Sequence, residues 1–261
     1  MRSQIATRMR VTALAIFSVL AIVACTTVVE ETGRKQFNVL SPAKEASMGL
    51  SEFEKYKQSK PVVRGGSYNA MAQRVGARLQ KVITVPNAQW EFVVFQDSTP
   101  NAFALPGGKV GIHSGLFNVV QNEAQLAAVL GHEIGHVKAR HSGERLTNAT
   151  AGAVVGAIAG EVLARKTGLQ RGQAQAVTQG AVALRTLRFS RNQELEADKL
   201  GALYMARAGY DPRESINLWK NFGKAAGGNS TPEFLRTHPL DTTRIAALEA
   251  YMPTALAAYK N

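Results

Sequence analysis

The chain is short of the residues that staple small folds or span bilayers. A single cysteine among 261 residues excludes an intramolecular disulfide framework and any cysteine-based zinc finger. Beyond the first 25 residues there is no stretch of about 20 apolar residues, so no transmembrane helix is expected there. Acids are scarce, with Asp+Glu 19 against Lys+Arg 31 and a formal charge of +12, yet no run of five basic residues occurs. This basic balance fits an anionic membrane surface or a plainly solvated one. A chain with 45% hydrophobic and 19% charged residues has enough apolar material for a packed core of one good-sized domain, which excludes a largely disordered chain. Histidine is scarce as well, with five in all.

The N-terminus has its own pattern. Arg2, Arg8 and Arg10 precede an apolar run from Val11 to Val23, and Ala24 stands directly before Cys25. A basic start, a short apolar run and a small residue at a cut site describe a secretory signal. The only thiol lies where lipid attachment needs one, so residues 1–24 read as a lipoprotein signal peptide and Cys25 as the lipidated residue. Secretion argues against a nucleic-acid partner. Thr26 rather than Asp after the cysteine resembles Gram-negative lipoproteins sorted to the outer membrane, which implies its periplasmic face. Residues 25–40 are polar and mixed, and read as a tether. Residues 41–261 read as the functional domain.

Within that domain, Ser41-Pro42 opens a helix reaching about Gln58, with Ser at the N-cap and Pro in the first turn. Met71, Val75, Leu79 and Val82 give helical spacing to residues 67–83. Strands are expected at Trp90–Phe95, Ala102–Leu105 and Lys109–His113, the last two around Pro106-Gly107-Gly108. The rest is helical. Asn122 with Gln125, and Ser190 with Gln193, form capping boxes. Gly209 ends one helix, Asp211-Pro212-Arg213-Glu214 starts the next, and Asp241 caps the last. The class is α+β, a small sheet packed on a larger helical set. Gly152, Gly156 and Gly160, four residues apart, read as a close helix-packing face or as a hairpin touching membrane or substrate.

Residues 132–136 read His-Glu-Ile-Gly-His. Positions i and i+4 share a helix face, so His132 and His136 aim two imidazoles at one metal, and Glu133 lies about 100° round, within reach of a water at that metal. Leu126, Val129, Leu130 and Val137 make the helix apolar, which suits a desolvated site. A third protein ligand is needed. His113, His141, His238 or a carboxylate are available. His141 lies about 140° away from His136 on the helix and is a poor ligand; it reads as a structural histidine or helix-end charge. Glu194 and Asp198 are four apart, so one carboxylate can bind metal while the other orients a ligand histidine. His113 reads either as a cleft-lining residue or as a hydrogen-bonded strand histidine.

Four segments in order, Asn101-Ala102-Phe103-Ala104-Leu105-Pro106-Gly107-Gly108, His132-Glu133-Ile134-Gly135-His136, Glu194-x-Glu196-Ala197-Asp198 and Thr237-His238-Pro239, resemble the M48 family of zinc endopeptidases, and within it the secreted bacterial lipoproteins related to the OMA1 type. The resemblance covers roughly residues 40–250. It implies a mainly helical gluzincin fold, one zinc ion held by His132, His136 and Glu194, and Asp198 as the residue orienting a ligand histidine. It also implies peptide substrate pairing along a sheet edge near Phe103 to Gly108 by strand addition. Glu133 then takes the proton of the attacking water and hands it to the leaving amine. His238 has three readings: a donor to the oxyanion, an occupant of the open zinc position that holds the enzyme inactive, or a histidine capping a loop ahead of Pro239. Arg244 reads as a salt-bridge partner or a substrate-facing residue. The expected substrates are cell-envelope proteins, with quality control as the task. The other reading is a chaperone-like or scaffolding lipoprotein that keeps the fold and cleaves little. The oligomeric state is not legible.

Overall fold

The computed structural model describes residues 26–151, 191–226, 232–240 and 242–259. Cys25, Ser190, Asp241 and the glycine series at 152, 156 and 160 lie outside the described residues.

The segment expected as a tether is folded. β1 (Thr26–Val28) and β2 (Lys35–Phe37) pair antiparallel, with Thr26 opposite Phe37, and Gly33 at φ +68 turns the chain between them. Val29, Gln36 and Asn38 are buried, and the hydroxyl of Tyr204 donates to Glu31 at 2.9 Å. Polar composition misled the sequence reading here, because the hairpin is held by side-chain hydrogen bonds and ion pairs more than by apolar area.

α1 (Pro42–Ser59) begins as its sequence dictates, with Ser41 Oγ accepting the Lys44 N–H at 3.2 Å and Pro at the first turn. α2 (Gly66–Leu79) stops short of the expected residue 83; a turn over residues 80–82 and an irregular stretch to residue 90 lead to the sheet. β3 (Glu91–Phe95), β4 (Ala102–Leu105) and β5 (Lys109–His113) form one sheet in the order β3-β5-β4. β3 runs parallel to β5 and β4 antiparallel to it. β4 is therefore an edge strand. Gly107 and Gly108, at φ +93 and +83, make the turn from β4 to β5 in a conformation only glycine adopts without strain. Their carbonyls accept the N–H groups of Gln89 and Glu91.

α3 (Glu123–Lys138) is the axis of the domain. Asn122 Oδ1 caps it by accepting the Gln125 N–H at 2.9 Å, and every residue from Gln125 to Val137 is buried. The return bond of the expected capping box goes elsewhere: Gln125 Oε1 accepts from the Gln121 N–H. After Arg140, at φ +54, helical residues 141–151 form the described part of α4. Helical residues 191–207, α5, cross α3 where glycine meets glycine. A Cβ on Gly131 would sit 3.0 Å from the Gly201 carbonyl oxygen, and one on Gly201 only 2.8 Å from the His132 nitrogen. This close approach sets the depth at which α5 presents its carboxylates to α3. Gly209, at φ +76, ends α5 as expected. α6 (Glu214–Ala226), the short α7 (Glu233–Thr237) and α8 (Thr242–Ala258) complete the chain. Trp219, Phe222 and Phe234 from α6 and α7 stack into a wall beside α3. Among the described residues no helix is long and apolar enough to cross a membrane.

Candidate active site

His132 and His136 lie one turn apart on α3, and their Nε2 atoms are 3.1 Å from each other. Glu194 on α5 brings its carboxylate to 3.4 Å from His132 Nε2 and 3.3 Å from His136 Nε2. His238, just past α7, adds a fourth atom: its Nδ1 is 3.3 Å from His132 Nε2 and 3.0 Å from Glu194 Oε2. The ligand atoms of His132, His136, Glu194 and His238 all lie within 4.8 Å of one another. The ring of Phe234 stacks on His238 at 4.7 Å and fixes its aim.

The far side of His132 is committed. Its Nδ1 is 3.0 Å from Oδ1 of Asp198, the acid four residues after Glu194. Asp198 in turn takes two 2.8 Å bonds from Arg244, which is only 1% exposed, lies over Trp219 at 4.1 Å, and approaches Glu194 at 3.2 Å. Of the two readings of Arg244, the salt-bridge partner is the one the structure places. Glu133 lies beside the cluster, with Oε1 3.2 Å from His238 Nε2 but out of hydrogen-bonding alignment, so this buried oxygen has no hydrogen-bond partner. An unsatisfied buried carboxylate oxygen costs about 1–3 kcal/mol. Only the electrostatic approach of His238 Nε2 offsets that cost, which leaves Glu133 Oε1 open to a hydrogen-bond donor.

The electrostatics follow from crowding in a dry place. Burial opposes ionisation of Glu194, but bonds from His132 and His238 hold its carboxyl far below the usual range. Burial also opposes the Asp198 anion, and Arg244 with His132 outweighs it. In the metal-free arrangement burial lowers His132, yet Asp198 and Glu194 push it up to about 9. His136 is driven well below its ordinary value, by burial first and then by the neighbouring His132 charge.

These donors fit zinc. With Asp198 accepting from Nδ1, His132 presents a bare Nε2. Bonds of about 2.0–2.1 Å in a tetrahedral site put donor atoms roughly 3.3 Å apart. The separations between His132 and His136, between each of these and Glu194, and from His238 to His132 and Glu194 run from 3.0 to 3.4 Å.

The profile of peptidase family M48 matches residues 67–252. The chain belongs to this family. This M48 chain is 32% identical over 228 residues to the mitochondrial metalloendopeptidase OMA1 of Schizosaccharomyces pombe, covering 86% of the chain and 66% of that protein. Over 180 residues it is 38% identical to the OMA1 of Saccharomyces cerevisiae, covering 66% of the chain and 50% of the relative. It is 30% identical over 221 residues to the beta-barrel assembly-enhancing protease of Escherichia coli, covering 83% of the chain and 45% of the relative. The chain thus spans about half to two thirds of the length of these relatives. M48 metallopeptidases use zinc, and the mostly helical α+β architecture agrees with the family.

Not every expected residue converges. On the edge strand, Phe103 packs with Phe53, Tyr56 and Phe95 rather than facing an incoming peptide, and Ala104 packs on the core. The edge ends at Leu105; Pro106, Gly107 and Gly108 form a turn and offer no strand edge. Of the expected edge near Phe103 to Gly108, only Phe103 to Leu105 is strand, as the strand pattern of the sequence already indicated. His113 is away from the metal donors, bonded to the Tyr56 hydroxyl at 2.6 Å and to Thr99 Oγ1 at 3.0 Å, so the strand-histidine reading holds. His141 is no ligand, but the sequence reading missed its place. Its Nδ1 is 2.8 Å from His136 Nδ1 and its Nε2 is 2.9 Å from Glu196.

Proposed function

We propose that this M48 chain is a zinc-dependent metalloendopeptidase of the bacterial cell envelope, acting on misfolded or unassembled envelope proteins. The observation that carries the reading is the convergence of His132 Nε2, His136 Nε2 and the Glu194 carboxylate at tetrahedral spacing, with a buried Glu133 beside them whose Oε1 makes no hydrogen bond. Zinc held by those three residues would supply a Lewis acid and bring a water's pKa towards about 7. Glu133 would take a proton from the attacking water and deliver it to the leaving amine. Asp198, set by Arg244, keeps the lone pair of His132 aimed inward. Among the described residues β4 has no strand on its outer edge, so Ala102–Leu105 supports an extended substrate, and α7 abuts its start through the Phe234 N–H to the Pro100 carbonyl.

His238 favours the closed reading over the oxyanion-donor reading. Its Nδ1 stands at ligand spacing from His132 and Glu194 while its Nε2 faces Glu133, so it fills the place a water and substrate need. The same observation supports the second function reading, a scaffolding lipoprotein with little proteolysis. Lipid attachment at Cys25 and residence at the periplasmic face of the outer membrane rest on the N-terminal sequence. The E. coli relative carries the name of a beta-barrel assembly-enhancing protease, which accords with that address.

The test is cleavage of an unfolded protein by the zinc-loaded chain. Glu133→Gln should abolish cleavage while zinc content stays near about one per chain. His238→Ala should raise the rate. Cleavage that survives Glu133→Gln removes the mechanism. Absence of cleavage by both the parent and His238→Ala leaves the scaffold.

A further inference from the structure

His132 and His136 both need their outer nitrogens held, because a metal-facing imidazole is aimed by what its other nitrogen bonds. Asp198 serves His132. For His136 the partner is another imidazole: His136 Nδ1 and His141 Nδ1 are 2.8 Å apart. Two ring nitrogens at that distance share one proton, so one carries N–H and the other a lone pair. The far nitrogen of His141 decides which. His141 Nε2 is 2.9 Å from Glu196 Oε2, and the Glu196 carboxylate is gripped by Arg34 Nε and by the Thr32 hydroxyl. A carboxylate paired with arginine accepts only. His141 must then hold its proton on Nε2, its Nδ1 must accept, and His136 must donate from Nδ1. That leaves His136 Nε2 bare, facing Glu194 and His132.

We propose that Glu196 and His141 are positioning residues for His136, and that the N-terminal hairpin, through Arg34 and Thr32, sets them. The metal site then depends on how the hairpin is seated. Arg34 also bonds Glu144 at 2.9 Å on α4 and Gln36 at 3.1 Å on β2, so one guanidinium ties the hairpin, α4 and α5 together. Glu31 reinforces the seat through Tyr204 on α5 and, at 3.3 Å, through Lys138 at the end of α3. His141 is 1% exposed, and no solvent can replace a partner it loses.

The inference rests on the metal-site reading, and the two fail separately. Zinc affinity of the full chain is measured by chelator competition. Long-range 15N–1H correlations of the zinc-loaded chain report which imidazole nitrogen is protonated. The spectra should show His136 protonated on Nδ1 and His141 on Nε2. Glu196→Gln and His141→Phe should lower zinc affinity by roughly 10–100-fold. His141→Asn, whose carbonyl can accept from His136 Nδ1, should recover most of the loss. Arg34→Ala should lower affinity in the same direction, with a cobalt-substituted absorption spectrum distinct from the parent. Where His141→Phe fails to fold, Glu196→Gln and Arg34→Ala decide. A His141 protonated on Nδ1, or folded variants with parental zinc affinity and parental spectra, would overturn the relay and leave the zinc site standing. A parent chain that binds no zinc would overturn both.

Discussion

Replacing Arg244 with Met isolates the energetics under the site. The two guanidinium–carboxylate bonds to Asp198 are each 2.8 Å, a third nitrogen reaches the Pro239 carbonyl at 3.0 Å, and the side chain is 1% exposed. Solvent screening that reduces surface pairs to about 0–1 kcal/mol does not operate here. Met fills much of the volume against Trp219 but leaves the buried Asp198 carboxylate without its arginine and with only the His132 ring as partner. Removing one partner of a buried pair costs about 3–5 kcal/mol. For a domain of this size each kcal/mol moves the melting point by about 2–4 °C, so Arg244→Met should lower it by roughly 6–20 °C. Urea midpoints with an unchanged m-value would show that the native state, not the unfolded chain, carries the change. The cycle with Asp198→Asn provides the internal check. Once the carboxylate is neutral, Met at 244 no longer strands the Asp198 charge and, of the ion pairs, removes only the longer, 3.2 Å approach to Glu194, so the double variant should be more stable than the sum of the single losses by about 1–3 kcal/mol. A single loss below about 1 kcal/mol, or strict additivity in the cycle, would refute the idea that Arg244 exists to hold an ionised Asp198 against His132.

Two further outcomes follow from packing and from charge. Gly201→Ala places a methyl 2.8 Å from the His132 nitrogen, which cannot rotate aside, so α5 must back away from α3. The variant should lose about 1–3 kcal/mol and bind zinc more weakly, because Glu194 retreats with its helix. Gly223→Ala on α6 would meet only a Leu240 methyl at 3.6 Å and should be neutral or stabilising by up to about 1 kcal/mol; equal effects of the two in thermal melts would contradict the close-crossing argument. Burial opposes the Asp97 anion, but the Lys60 bridge and Thr99 hydrogen bonds hold its carboxyl below the ordinary value. A depressed folded pKa contributes stability above the unfolded value of about 3.9 that is lost as the pH falls through and below it. Asp97→Asn should therefore be less stable than the parent near neutral pH, and the gap in urea midpoints should begin to narrow below about pH 4 and go on shrinking as the pH falls towards the much lower folded-state value; a gap constant with pH would show that the ion pair contributes nothing.

The local elements were legible because short-range chemistry sets them. Ser41-Pro42, Asn122 and Gly209 delimit helices through caps and backbone conformations that need no tertiary partner. Glu194 and Asp198 were legible as a pair because a spacing of four puts both on one helix face. The hairpin of residues 26–37 was not, since its stability comes from Arg34, Glu31 and Asn38 meeting residues more than a hundred positions away or, for Asn38, the buried Glu45. The substrate edge was drawn past Leu105 on the family resemblance, although the strand pattern ended there and the positive φ values of Gly107 and Gly108 make a turn. His141 was judged by its angle from His136, which correctly denies it the metal. That angle says nothing of what lies outward.

The run Glu194-Leu195-Glu196-Ala197-Asp198 shows why that outward direction matters. At about 100° per residue, Glu194 and Asp198 project within about 40° of each other, while Glu196 projects about 200° from Glu194. A helix carrying this run past α3 must therefore deliver two acids to one side and a third to another. The first side receives His132 and, across it, Arg244; the second receives His141 and Arg34. Each carboxylate that orients an imidazole is thus neutralised by an arginine from a distant part of the chain, one from α8 and one from the N-terminal hairpin. Two buried acids on a single helix would otherwise repel each other and resist ionisation, so both arginines are needed for the helix to fold in its ionised form. The two ends of the domain meet at the site for that electrostatic reason, and a substitution at either arginine should be felt first at the imidazole its own carboxylate holds.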